Sequence, residues 1–167
     1  MLSGSTGIIH FAVAILSLIF GTLILYKNKG TISHKRIGYA YTVCMLILLV
    51  TSFMIQNLAS FGILHWLALL SSVTLIFGMI PVITKFPKRN YLSFHMSFMY
   101  WSVIGLYCAF AAEIFTRIPF MFDFGKDTMN VFYMLLGVST ALVGGMGSFY
   151  FKRYKKVWEK KFGSTKN

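Results

Sequence analysis

The sequence predicts an all-α integral membrane protein of five transmembrane helices, and three observations lead there. The chain is 57% hydrophobic and only 12% charged, whereas a soluble domain is about 45–50% apolar and about 25% charged. Such a chain cannot cover a water-facing surface with polar groups. Its apolar residues also form long unbroken runs, which suit spanning helices rather than the alternating strands of a membrane barrel. Finally, the basic residues lie in the gaps between those runs, the mark of membrane topology. The formal charge of +12 therefore signals orientation, and nucleic acid is excluded as a partner.

The first run is Gly7 to Tyr26. It has no basic flank before it and no small-residue cleavage site after it, so it reads as a span rather than a signal peptide. A basic loop, Lys27 to Arg36, leads to the second run, Ile37 to Leu58. An uncharged turn at Ala59-Ser60 precedes the third, Phe61 to Thr84, with Pro81 set to kink its end. Lys85, Lys88 and Arg89 separate it from the fourth, Tyr91 to Phe115. A longer loop with Arg117, Asp123, Lys126 and Asp127 leads to the fifth, Asn130 to Phe151. Residues 1–151 thus form the membrane domain, and residues 152–167 a basic tail.

Of the 16 Lys and Arg residues, all but Arg117 and Lys126 fall in the first loop, the third loop and the tail. Positive charge stays cytoplasmic. The N-terminus is therefore expected outside and the C-terminus inside, in a cell membrane that reads as a bacterial plasma membrane. The tail suits anionic lipid headgroups. Trp66, Tyr91 and Trp158 sit where interfacial rings anchor spans. Trp101 and Tyr100 lie deeper, and packing is their simplest role. Cys44 and Cys108 fall at different depths and are expected as free thiols. On the fifth run, Gly137, Ala141 and Gly145 make a four-residue ladder. Such a ladder suits a seam against the other spans or a homodimer contact, or is ordinary glycine content.

The functional clue is the placement of the 4 histidines. His10 and His65 lie near the outer starts of spans one and three, and His34 and His95 near the inner starts of spans two and four. In an up-down bundle of spans one to four, one and three are diagonal partners, as are two and four. Adjacent axes are about 8–10 Å apart, so the diagonals are wide enough for a flat haem held edge-on. His10 with His65 and His34 with His95 would then hold two b-type haems about 20 Å apart. Such a chain carries electrons across the membrane, or to a quinone or another redox partner. The plain reading of each histidine is an interfacial polar residue. His34 is the weakest of the four because it sits in the basic loop. Below His10, the in-phase residues Ala14, Ser17 and Gly21 make a narrow face. That face admits a flat ring or packs shut.

Glu113 lies at about the depth of His10 and His65, and an intramembrane carboxylate is a functional candidate. Those three residues define an alternative, a zinc-dependent membrane enzyme. Against it stands an i,i+4 pair of Glu113 with Arg117. A third alternative is a non-catalytic accessory or immunity-type subunit with structural histidines.

The run His34-Lys35-Arg36-Ile37-Gly38-Tyr39-Ala40-Tyr41 resembles the His-Arg-x-x-Gly-x-x-Tyr element of an uncharacterised bacterial family of small membrane proteins, domain of unknown function 2306. Lys35 stands where Arg is usual. An early histidine, here His10, and a later His-x-x-x-Met, here His95 and Met99, complete the likeness over spans one to four. This resemblance implies architecture and no chemistry. The order of the four histidines is also similar to that of transmembrane di-haem cytochromes b. That second resemblance implies haem ligation by His10, His65, His34 and His95.

Overall fold

The structure is a computed structural model that describes residues 4–55, 62–88, 90–122 and 124–162. The turn expected at Ala59-Ser60, the loop residues Arg89 and Asp123, and Lys166 of the tail lie outside the described residues. Six helices follow in order: α1 Ser5–Tyr26, α2 Ile32–Met54, α3 Ile63–Thr84, α4 Tyr91–Phe115, the short α5 Ile118–Met121, and α6 Thr128–Phe162. A 3₁₀ turn, Gly125–Asp127, precedes α6. Five helices are long and apolar enough to cross a membrane. The chain is thus an all-α, five-span membrane protein, as its composition requires.

Local chemistry sets the helix ends. Lys29 Nζ donates to the carbonyls of Ile24 (2.5 Å) and Leu25 (3.1 Å) at the C-terminus of α1. Those carbonyls have no partner within the helix and attract a cation. Gly30, at φ +83°, turns the chain in a left-handed conformation that residues with a side chain rarely adopt. The Thr31 hydroxyl then accepts from the His34 amide (3.2 Å) and caps α2. The cap starts α2 at Ile32, earlier than the apolar run suggests, and so places His34 inside the first helical turn. Lys85 adopts the left-handed conformation and ends α3. Pro81 is buried in the last turn of α3, which runs on to Thr84.

Helices α1 and α2 pack as one hairpin and α3 and α4 as another. The two hairpins meet through α1–α4 and α2–α3, which closes a ring in sequence order. Helix α6 lies outside the ring against α4. The ring is filled by Ile24, Tyr41, Met45, Leu75, Met99 and Val103. At its centre Gly21 is close-packed: a β-carbon there would lie 3.1 Å from Tyr41 and 3.2 Å from Val103. A smaller core at the other end joins Ala112, Phe132 and Leu136. Outward-facing Leu16, Ile19, Leu70 and Ile76 remain exposed and apolar, as lipid requires.

Helix α6 extends past the fifth apolar run, whose end at Phe151 was expected to begin the tail. Lys152 to Lys160 continue the same helix. Lys, Arg and Glu form helices readily, and Lys155 pairs with Glu159 one turn on at 3.8 Å. Its 35 residues give about 52 Å of helix, more than the ~30 Å hydrocarbon core.

The ladder of Gly137, Ala141 and Gly145 is not the seam within the chain. All three are exposed, and nothing lies within 4 Å of a β-carbon built at either glycine. The seam is the adjacent face, with Leu136, Ser139 and Gly147 buried. A β-carbon at Gly147 would stand 2.6 Å from Ile104. The Gly147 carbonyl also accepts from the Tyr100 hydroxyl at 2.8 Å, so Tyr100 is a packing residue. Gly147→Ala is expected to lower stability by about 1–3 kcal/mol through overpacking. Gly145→Ala is expected to leave it unchanged, with both variants compared by unfolding in detergent.

Candidate histidine site at the basic end

The four histidines fall into two environments. At the end of the bundle away from the basic loops, His10 Nδ1 lies 2.9 Å from the Thr51 hydroxyl of α2. That hydroxyl donates to the carbonyls of Ile47 and Leu48 in its own helix, both at 2.9 Å. His10 is therefore the donor, and the bond ties α1 to α2. Glu113 lies within electrostatic reach of His10 but is ion-paired with Arg117. His65 turns back on its own helix: its Nδ1 accepts from the Gly62 amide at 3.2 Å, and its ring lies 6.2 Å from that of Phe53.

An imidazole that accepts at Nδ1 carries its proton on Nε2. A metal-ligating histidine usually has the reverse arrangement, with Nδ1–H donating and Nε2 open. The Nδ1 of His65 is thus engaged as an acceptor, whereas His10, like a ligating histidine, donates from Nδ1. Beneath His10, the Ser17 and Gly21 face is packed shut. Nor do His10, His65 and Glu113 assemble as a zinc site. Among the described residues, no three His, Cys, Asp or Glu side chains form a metal-binding group. Cys44 and Cys108 are free thiols.

The basic end differs. In the bundle centre the Tyr41 hydroxyl of α2 and the Ser102 hydroxyl of α4 are hydrogen-bonded across the diagonal at 2.9 Å. His34 precedes Tyr41 by seven residues, and His95 precedes Ser102 by seven. Seven residues are about two helical turns and return to the same face. The Tyr41–Ser102 contact therefore aims the His34 and His95 faces at each other about 10 Å further along. The two rings lie within electrostatic reach of one another, and Lys29 lies within reach of both.

Each ring is prepared differently. His95 Nδ1–H donates to the Gly78 carbonyl of α3 at 2.6 Å, which fixes the tautomer and leaves Nε2 open. Gly78 permits this approach because Met99 fills the space a side chain would take, with its sulfur 2.8 Å from a built β-carbon. His34 Nδ1 is buried without a hydrogen-bond partner, an unusual state for a polar atom. One turn above it, Gly38 has no atom within 4 Å of a built β-carbon. Among the described residues, no neighbouring side chain thus covers α2 at Gly38, on the His34 face.

Lys29 completes the group. Burial lowers its pKa from 10.5 to about 8, because leaving water disfavours the charged form. Sequence reasoning placed His34 and His95 together but missed Lys29, Tyr41 and Gly78. The one readable sign was the shared seven-residue step from His34 to Tyr41 and from His95 to Ser102.

The family model described as predicted membrane protein (DUF2306) matches residues 7–149. The chain belongs to that family. The match covers all four histidines and most of the five spans. No curated protein and no solved structure matches the chain.

The lysine gives a pH prediction. Folding lowers its proton affinity, so the unfolded chain binds more protons between about pH 8 and 10.5. Stability should rise with pH across that window. Lys29→Met should flatten that part of the rise, measured as unfolding midpoints in detergent for both proteins.

Proposed function

We propose that this family member is a small b-type membrane cytochrome that holds haem between His34 and His95 at the basic end. The Tyr41–Ser102 bond, which lies two turns along each helix from His34 and His95, is the observation that carries the reading. The bonding of His95 to Gly78 supports it, as does the unpartnered His34 nitrogen. The uncovered backbone at Gly38, one turn from His34, leaves room for a flat ring beside α2.

Bound there, haem supplies one-electron redox chemistry. The protein's part is to hold the imidazoles and control the surroundings. Gly78 keeps His95 in the ligating tautomer. Tyr41 and Val103, both fully buried, close the bundle above the site against water. Lys29 offers a cation to the haem carboxylates, a contact that favours its charged form. The site then faces the cytoplasm of a bacterial cell, with the basic loops held inside and the α6 extension along anionic lipid. The outer pair, His10 and His65, is structural in this reading, so one haem replaces the two implied by histidine order.

Spectra of the purified protein, oxidised and reduced, test this. A Soret band is expected in the wild type. It should be lost in His95→Ala and kept in His65→Ala. A colourless wild type expressed with ample haem would sink the proposal in favour of an accessory membrane subunit with structural histidines. Stoichiometric zinc that is lost in Glu113→Ala would favour the enzyme alternative.

A further inference from the structure

We infer that the groove along α4, walled by α6 at the basic end and by α3 with Thr140 of α6 deeper in, binds a long-tailed quinone. The inference rests on the redox reading for its biological purpose, but its structural basis is separate. It concerns the face of α4 opposite His95.

Two cavities lie along that face. One, of about 600 Å³, opens at the basic end and is lined by Ser93, Phe94, Ser97, Phe98 and Phe151. The other, of about 370 Å³, lies deeper and is lined by Leu67, Leu70, Ile104, Cys108 and Ala109. Trp101 lines both, so the two are neighbours along α4. Both fall in the size range of small-molecule sites. The α4 positions step through Asn90, Ser93, Ser97, Trp101, Gly105 and Cys108, the three-to-four spacing of one helical face.

The two cavities differ in chemistry along the membrane normal. The outer one combines aromatic rings with hydroxyl groups and suits a flat ring bearing carbonyl acceptors. Among the described residues, its charged lining residues are Lys155 and Glu159, which pair at 3.8 Å. The Lys155 ammonium also lies 6.0 Å from the Phe151 ring centre. A phosphate head needs cations that are not already neutralised, so this cavity favours an uncharged head. In the deeper cavity, the Thr74 and Thr140 hydroxyls donate to carbonyls of their own helices. With those hydroxyls already bonded and the rest of the lining mostly apolar, the slot suits an apolar tail. An uncharged, ring-shaped, carbonyl-bearing head joined to an apolar tail is a membrane quinone. Such a ring sits about one helix diameter, ~10–12 Å, from the His95 side of α4.

Trp101 is also the reporter. In the full chain carrying Trp66→Phe and Trp158→Phe it is the only tryptophan left, and a quinone stacked beside it quenches its fluorescence. A decyl-tailed benzoquinone should quench saturably in detergent, and the tail-less ring more weakly. Ser97→Leu, which narrows the head cavity, should weaken binding about tenfold. Gly105→Leu should abolish the benefit of the tail: Gly105 borders the deeper slot, and a built β-carbon there meets only Ser71, at 3.7 Å. The Soret band should be unchanged in both variants, which also reports that they fold. Quenching that never saturates, or is equal in Ser97→Leu, overturns the inference. Displacement of the quinone by short-chain phosphatidylglycerol at equal concentration also overturns it, because the groove then holds ordinary lipid. A colourless protein that still binds quinone saturably refutes the haem reading and leaves the groove standing.

Discussion

The hydrogen bond between Tyr41 and Ser102 governs the arrangement of the bundle. It joins diagonal helices at a level where both residues are fully or almost fully buried. A phenol in lipid-embedded protein must find a partner or leave a polar atom unsatisfied. Ser102 meets that need only in one rotation and one register of α4 against α2. Once that register is set, Met45, Met99 and Val103 pack around it, Gly21 admits the Tyr41 ring beside α1, and the residues two turns below are brought face to face. His34 and His95 each lie two turns from this polar pair on the same helix face, so its register sets their relative placement.

The two ends of the bundle then diverge, although each carries two histidines. At the far end His10 donates to the neighbouring helix and His65 accepts from its own first turn. Near the basic loops His95 donates from Nδ1 as His10 does, here to the Gly78 carbonyl of α3, and His34 keeps an unpartnered nitrogen. Lys29 adds a cation whose charge is weakly held, with the carboxylates of Glu113 and Asp127 on other loops and helix ends. Equivalent residue types at equivalent depths thus differ in chemistry because of which backbone carbonyl or amide lies next to each ring.

Close contacts between helices rest on small residues, because lipid gives apolar helices little reason to prefer one another. Gly21, Gly78 and Gly147 each lie where a side chain would strike a neighbour, and these three mark the α1, α3 and α6 contacts with the rest of the bundle. Gly137 and Gly145 share the spacing of such a motif yet meet nothing within the chain. Spacing alone does not tell a seam from an outward face, since helix rotation decides which glycines point inward.

Hydropathy and the placement of basic residues determined the number of spans, the limits of the first, third and fourth to within a few residues, and the separation of the histidines into two levels. These follow from the sequence because they depend on one-dimensional quantities: run length against bilayer thickness, and charge against the cost of crossing it. The free thiols and the Glu113–Arg117 pair were legible for the same reason, being matters of depth and local spacing. Helix start was less legible at α2, where the Thr31 cap carried the helix back over a charged segment that hydropathy reads as loop. Helix rotation and ring tautomer were decided by tertiary structure alone. Whether His95 presents an open nitrogen depends on the Gly78 carbonyl, 17 residues away and on another helix. Whether the Gly137 face packs depends on which side of α6 meets Ile104. Such choices arise only when helices are brought together, because each is fixed by a partner that the local sequence does not contain.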